Sequence, residues 1–291
     1  MLSKEFEVYI DGKYYPKKEA KISVFDHGFL YGDGVFEGIR AYEGCVFKLN
    51  EHINRLYESA KSIELIIPLS KAEFKNAIIE TLNRNKLKDA YIRVVVSRGI
   101  GTLGLNPTLC PKASIIIIAD YLAPLFEGKN ATAIIAFTSR NSVTAINPMI
   151  KSLNYLNNIL ARIEANKAGV NEALMLNQNG TVCEGTGDNI FIVKAGVIIT
   201  PPPSAAILLG ITRQVVIDLA EKEGIKVVER SITVHELYNA DESFFTGTAA
   251  EIAPLVNVDG KLIGTGKPGP VTTMLIDNFK KIRKRGTPIY S

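Results

Sequence analysis

Short Val- and Ile-rich runs alternate irregularly with stretches of helical spacing, and this irregular order is what most limits the folds open to the chain. Residues 91–97 and 114–119 are rich in Val and Ile and suit buried strands. Residues 6–10 precede Asp11-Gly12 and residues 35–42 precede Glu43-Gly44, so both dipeptides predict tight hairpins. Between these strands lie helical patterns. One runs from Asn50, a candidate cap, to Ile63, with Ile53, Leu56, Ala60 and Ile63 in phase. Another opens at Ser70 and runs to about Arg84. The second half repeats the mixture. Strands are expected at 132–137, 173–176, 190–193, 197–199, 243–246 and 252–256. Helices are expected around Leu153, Leu156, Leu160 and Ile163, and at 212–223 and 271–282. No clean βαβ series emerges, so a mixed α+β and α/β chain is expected.

Pro124 and Gly128 interrupt the pattern between 121 and 131. This segment reads as a linker, dividing a small N-terminal α/β domain (1–120) from a larger one (132–291). The chain has 291 residues, 46% hydrophobic and 22% charged, enough to bury a core without disulfides. Its three cysteines, Cys45, Cys110 and Cys183, are widely spaced and predict neither a disulfide framework nor a zinc site. With three histidines and no ligand spacing, no metal is expected. The N-terminal stretch lacks an apolar leader core, and no apolar run is long enough to span a bilayer, so a cytoplasmic protein is expected. Net charge is only +4 and is dispersed, which argues against nucleic acid as a partner. The basic run 280–285 reads as the C-terminal end of a helix, where cations favour the dipole. Gly99, Gly101 and Gly104 match a dinucleotide fingerprint, but Asn106-Pro107 and Cys110-Pro111 follow where a helix is required.

Six segments in one order carry a family resemblance. They are Asp26-His-Gly-Phe-Leu-Tyr-Gly-Asp-Gly-Val-Phe-Glu-Gly-Ile-Arg40, His52-Ile-Asn-Arg55, Lys151-Ser-Leu-Asn-Tyr155, Glu184-Gly-Thr-Gly-Asp-Asn189, Gly210-Ile-Thr212 and Gly247-Thr-Ala-Ala-Glu251. Together they resemble the class IV aminotransferases, over nearly the whole chain. The 36–40 segment, with Tyr91 and Arg93, is most similar to branched-chain amino acid aminotransferases. D-amino-acid aminotransferases and aminodeoxychorismate lyases usually differ there, and they stand as the alternatives.

The resemblance implies a two-domain fold-type IV architecture, like that of D-amino-acid aminotransferases, with pyridoxal 5'-phosphate held where the domains meet. It implies transamination of L-leucine, L-isoleucine and L-valine with 2-oxoglutarate, and a homodimer or higher homo-oligomer. Lys151 would form the Schiff base with the cofactor and then move the substrate proton; its neighbours Met149, Ile150 and Leu153 suit the partial burial that makes an amine nucleophilic. Glu184 would pair with the pyridine nitrogen and Tyr155 with the phenolic oxygen, and Leu208 would pack near the ring. The phosphate would be met by Arg55, whose planar fork can bond two oxygens, by Ile211 and Thr212 at a helix start, and by the Thr248 hydroxyl. Tyr31, Phe36, Gly38 and Tyr91 would form the substrate side-chain pocket. Arg40 and Arg93 would meet the distal carboxylate of glutamate, and the Thr248 and Ala249 N–H groups the α-carboxylate. The linker lacks the Trp and Tyr that some bacterial relatives place beside the substrate, so the loop closing the pocket is expected to differ.

Overall fold

The computed structural model describes residues 6–126 and 128–290; residues 1–5, part of the stretch weighed above for a leader, lie outside it, as do Glu127 and Ser291. The chain separates into two compact units. The first comprises Met1–Leu122, Ile150–Asn154 and Arg283–Ser291, and the second Ala123–Met149 and Tyr155–Ile282.

The first unit is a seven-stranded sheet covered by two helices. Its strands are β1 (Glu7–Ile10), β2 (Lys13–Pro16), β3 (Gly34–Tyr42), β4 (Cys45–Val46), β5 (Ala90–Ser97), β6 (Ser114–Asp120) and the short strand Thr287–Pro288. The order is Thr287–Pro288, β4, β3, β5, β6, β1, β2, with antiparallel neighbours throughout. Both predicted hairpins form. Asp11 and Gly12 have φ of 49° and 91°, and Glu43 and Gly44 have 49° and 86°, the paired positive values that a type I′ turn demands. A short helix α1 (His27–Tyr31), which no sequence periodicity signalled, sits between β2 and β3, capped by the Asp26 side chain. Helix α2 (Leu49–Ser62) packs on β3, and α3 (Lys71–Asn85) packs on β1 and β6. Leu56, Phe74, Ile78, Leu82, Ile92 and Ile117 meet in one fully enclosed core. Ser70 and Glu73 form a reciprocal capping box at the start of α3. Asn50 does not cap α2. Lys48, turned into the left-handed region as the chain leaves β4, stands at the N-cap, and Asn50 falls inside the first turn.

The second unit is built on a sheet that closes on itself. Its strands are β7 (Ala131–Ile135), β8 (Glu172–Leu176), β9 (Val182–Glu184), β10 (Asn189–Lys194), β11 (Val197–Thr200), β12 (Val227–Glu229), β13 (Glu242–Gly247), β14 (Glu251–Val258) and β15 (Lys261–Leu262). The path β10-β13-β14-β7-β8-β9 returns to β10 through the Asn189–Glu184 pair. Ala131, Leu174, Val182, Ile190, Phe245, Ala253 and Leu255 fill the interior. Around it lie α4 (Leu156–Lys167), α5 (Ile211–Lys222), α6 (Val234–Tyr238) and α7 (Pro270–Ile282). The residues that predicted α4 do not form its core face: Asn158, Ala161 and Ala165 are buried, whereas Leu156, Leu160 and Ile163 are exposed. Leu153 lies outside the helix altogether, in the 150–154 segment of the first unit. Small residues face the sheet because α4 approaches β8 closely, and the periodicity of the large side chains reports another surface. The glycine fingerprint at 99–104 lies in loop, followed by a three-residue 3-10 turn at Pro107–Leu109. Among the described residues no helix is long and apolar enough to cross a membrane.

Candidate active site

Each unit carries one group of converging polar side chains. In the first, the strand alternation of β3 divides its residues between two faces. Phe36, Gly38 and Arg40 share one face and stand opposite Val95, Arg93 and Tyr91 of β5. The Arg93 guanidinium lies 4.6 Å from the centre of the Phe36 ring and donates from Nη2 to the Tyr91 hydroxyl at 3.1 Å. Arg40 lies over Tyr91, and its Nη1 donates to the Leu122 carbonyl at 3.0 Å. A Cβ at Gly38 would sit 2.2 Å from the Tyr91 Oη, so only glycine lets that phenol lie flat across the strand. Lys151 enters the same group. Its Nζ is 4.4 Å from the Phe36 ring centre, a cation–aromatic contact, and its backbone is held on both sides. The Ser59 Oγ of α2 accepts from its N–H at 3.2 Å, and its carbonyl accepts from the Phe36 N–H at 2.9 Å. Tyr31, also expected in the pocket, is on α1 with its ring edge-on to His27 and more than a third exposed.

Glu37, on the opposite face of β3, is fully buried. Its two carboxylate oxygens accept from Arg55 Nε at 2.7 Å and Nη2 at 2.9 Å, and Oε2 also accepts from His52 Nδ1 at 2.8 Å. Burial raises the Glu37 pKa, but Arg55 and His52 together more than reverse this and hold it down at about 2. The two-oxygen grip of Arg55 expected for a phosphate is therefore taken by a carboxylate, through the Nε–Nη2 edge. Sequence reasoning missed Glu37 and gave His52 only a local role. Both were in plain view inside the quoted segments, but nothing in spacing tells that a strand and a helix will face each other there.

In the second unit the focus is Glu184, buried at the end of β9. Its Oε1 accepts from Arg140 Nε at 2.9 Å and Nη2 at 2.8 Å; Oε2 accepts from Asn189 Nδ2 and the Leu208 backbone N–H, both at 3.0 Å. The Asn189 amide also donates to the Leu208 carbonyl, tying the 184–189 loop to the Leu208 segment. Arg140 Nη1 reaches Asn158 Oδ1 at 3.2 Å, in the first turn of α4, which Tyr155 caps. Arg140, Asn158 and Asn189 thus surround the predicted carboxylate; Arg140 had no sequence signal at all. Gly210 is the N-cap of α5 and offers no side-chain cap, leaving the first-turn N–H groups of Ile211 and Thr212 to point along the helix axis. A Cβ at Gly210 would meet Asn189 Oδ1 at 2.0 Å. Thr248 and Ala249 form the turn between β13 and β14, where the Ala249 carbonyl accepts from Leu125. Among the described residues the buried Thr246 Oγ1, just before that turn, has no hydrogen-bond partner.

These groups fit a phosphorylated aromatic cofactor with a ring nitrogen. An uncapped helix start suits an anion, and a buried carboxylate fixed by Arg140, Asn189 and the Leu208 N–H supplies the negative charge that a protonated ring nitrogen needs. Such a set suits a pyridoxal-phosphate-dependent enzyme. The class IV aminotransferase model matches residues 34–258, and the chain belongs to that family. A putative branched-chain-amino-acid aminotransferase of Methanocaldococcus jannaschii is 55% identical over 98% of this chain and 99% of its own length. The crystal structure of branched-chain aminotransferase from Thermoproteus uzoniensis with norvaline has a TM-score of 0.93 at 39% identity, covering 98% of this chain and 100% of that one. The branched-chain amino acid aminotransferase from Thermobaculum terrenum, in its PLP-form, has a TM-score of 0.88 at 32% identity, covering 97% and 94%. The fold is therefore fold-type IV, the cofactor is pyridoxal 5'-phosphate and the chain is a transferase.

Proposed function

We propose that the chain transfers the amino group of L-leucine, L-isoleucine and L-valine to 2-oxoglutarate, giving branched 2-oxo acids and L-glutamate. The observation that carries this reading is the β3–β5 face. It sets an aromatic surface, Phe36 and Tyr91, beside two guanidinium groups, Arg40 and Arg93, with the Lys151 amine next to it. One pocket must accept a branched aliphatic side chain in one half-reaction and the distal carboxylate of glutamate in the other. An apolar wall edged by arginines suits both, and it separates single methylenes by only about 1–3 kcal/mol, consistent with three substrates. The branched-chain names of the relatives support the same assignment.

When bound, pyridoxal phosphate supplies an electron sink for the pair left on the substrate α-carbon. Lys151 would hold the cofactor covalently, and its Nζ would take up and return the substrate Cα proton. Glu184 would pair with the pyridine nitrogen, Tyr155 would hydrogen-bond the phenolic oxygen and Leu208 would pack near the ring. Arg55, Ile211, Thr212 and Thr248 would hold the phosphate. Thr248 and Ala249 N–H groups orient the α-carboxylate, and Tyr31 closes the side-chain pocket. A second copy of the chain covers the exposed Leu156, Leu160 and Ile163 stripe, giving a homodimer or higher assembly. A cytoplasmic location accords with three free cysteines.

The test is glutamate production from L-leucine and 2-oxoglutarate by the cofactor-loaded protein, with Lys151→Ala as control. Turnover with L-leucine, lost in the folded control, is the expected result. Turnover with D-alanine but not L-leucine would replace the reading with a D-amino-acid aminotransferase. Pyruvate release from aminodeoxychorismate without any 2-oxo acid would replace it with a lyase.

A further inference from the structure

The Glu37 cluster does more than close a buried charge. Helix α2 presents His52, Arg55 and Ser59 at spacings of three and four, along one face. Each of the three makes a hydrogen bond on that side: His52 and Arg55 to Glu37, and Ser59 to the Lys151 N–H. The Lys151 carbonyl is bonded to Phe36, the residue next to Glu37. One carboxylate therefore ties α2 to β3 beside the lysine peptide, while Ser59 ties the same helix to the lysine itself. Glu37 is enclosed and engages both Nε and Nη2 of Arg55, so the guanidinium plane is set by two parallel bonds, and rotation about the last side-chain torsions would break one or both. His52 is just as buried and holds Glu37 Oε2 from the other side. Burial lowers the His52 pKa, and the Arg55 and Lys151 charges act in the same direction against Glu37.

We propose that Glu37 is a positioning residue for the cofactor phosphate: it acts through Arg55, whose guanidinium plane it fixes, and His52 holds Glu37 in place to do so. This rests on the reading of Arg55 as a phosphate-holding group. A bare arginine near a dianion could swing toward it and collapse the site; a buried carboxylate behind the fork prevents that and preserves one geometry in the presence or absence of the ligand.

The test compares equilibrium binding of pyridoxal 5'-phosphate and of pyridoxal, which lacks the phosphate, to the apo-protein, followed by absorbance. Glu37→Gln keeps the side-chain volume but turns an amide N–H₂ toward donors. The expected result is a loss of about tenfold or more in affinity for pyridoxal phosphate, with pyridoxal affected less than about threefold. In an Arg55→Lys background, which itself lowers the phosphate preference, the Glu37→Gln change should add little. Equal weakening of both ligands, or a stronger phosphate preference, would overturn the inference and leave Glu37 a structural ion-pair partner. If Arg55→Lys leaves the phosphate preference untouched, the phosphate reading of Arg55 falls and takes the inference with it. If Arg55→Lys lowers it and Glu37→Gln does not, only the inference falls. Glu37→Asp, which retains the charge but withdraws it by one methylene, is read in the same way should Glu37→Gln fail to fold.

Discussion

Replacing Arg140 with methionine isolates the energetic role of the second unit's polar centre. The guanidinium makes two bonds to Glu184 Oε1, one to Asn158 Oδ1 and a longer one to Asn141 Oδ1, and Arg140, Glu184 and Asn158 are buried. The methionine side chain would fill similar volume without a donor. Glu184 would keep the Asn189 amide and the Leu208 N–H on Oε2, but Oε1 would lose both Arg140 bonds and the guanidinium charge beside it. Breaking a buried pair by removing one partner costs about 3–5 kcal/mol, far above the ~1 kcal/mol of an ordinary hydrogen bond. For a unit of this size roughly 2–4 °C is lost per kcal/mol, so unfolding of the apo-protein should move down by about 6–20 °C. Adding Glu184→Gln removes the stranded charge while its amide oxygen still accepts from Leu208. The double variant should recover about half of the loss, a coupling that urea titration of the four proteins measures directly. If Arg140→Met costs less than about 1 kcal/mol, or if the two changes simply add, the buried ion pair does not hold this centre together.

Gly38→Ala would drive a methyl group into the Tyr91 phenol, which must move by roughly 1 Å and leave Arg93. Stability should change by less than about 2 kcal/mol, since alanine gains back strand propensity, whereas KM for both L-leucine and 2-oxoglutarate should rise about tenfold or more. Glu37 has a folded-state pKa of about 2 against an ordinary 4.5, so its contribution to stability is fully present above pH 4.5 and is lost as pH falls toward 2. It is worth at most about 3 kcal/mol, and unfolding measured across pH 2–6 should show a steep acid limb in the wild type that is shallower in Glu37→Gln. Ser70→Ala removes the α3 capping box and should cost about 1 kcal/mol in urea unfolding with turnover unchanged.

Much of the local structure was legible before any tertiary contact was known. Both hairpins formed where Asp11-Gly12 and Glu43-Gly44 stood, because two adjacent positive φ values are a local demand that few dipeptides meet. The capping box at Ser70 is equally local. Of the residues in the motif segments, Lys151 lies beside Phe36 and Glu184 is enclosed by donors.

What the sequence by itself determined, then, was whatever depends on neighbours in the chain: turn dihedrals, caps, the periods of strands and helices, and the chemistry of short motifs. Tertiary structure alone decided which side chains complete those motifs. Arg140 lies 44 residues from Glu184, and Arg55 lies 18 from Glu37, so neither pair has a spacing that could announce it. It also decided that Lys151 clusters with the first unit, through bonds to Ser59 and Phe36, and that the large apolar residues of α4 face outward. The physical reason is the same in each case. Periodicity reports that a face is apolar or polar, whereas the partner of that face is chosen by sheet register and helix packing, which bring together groups that the chain keeps apart.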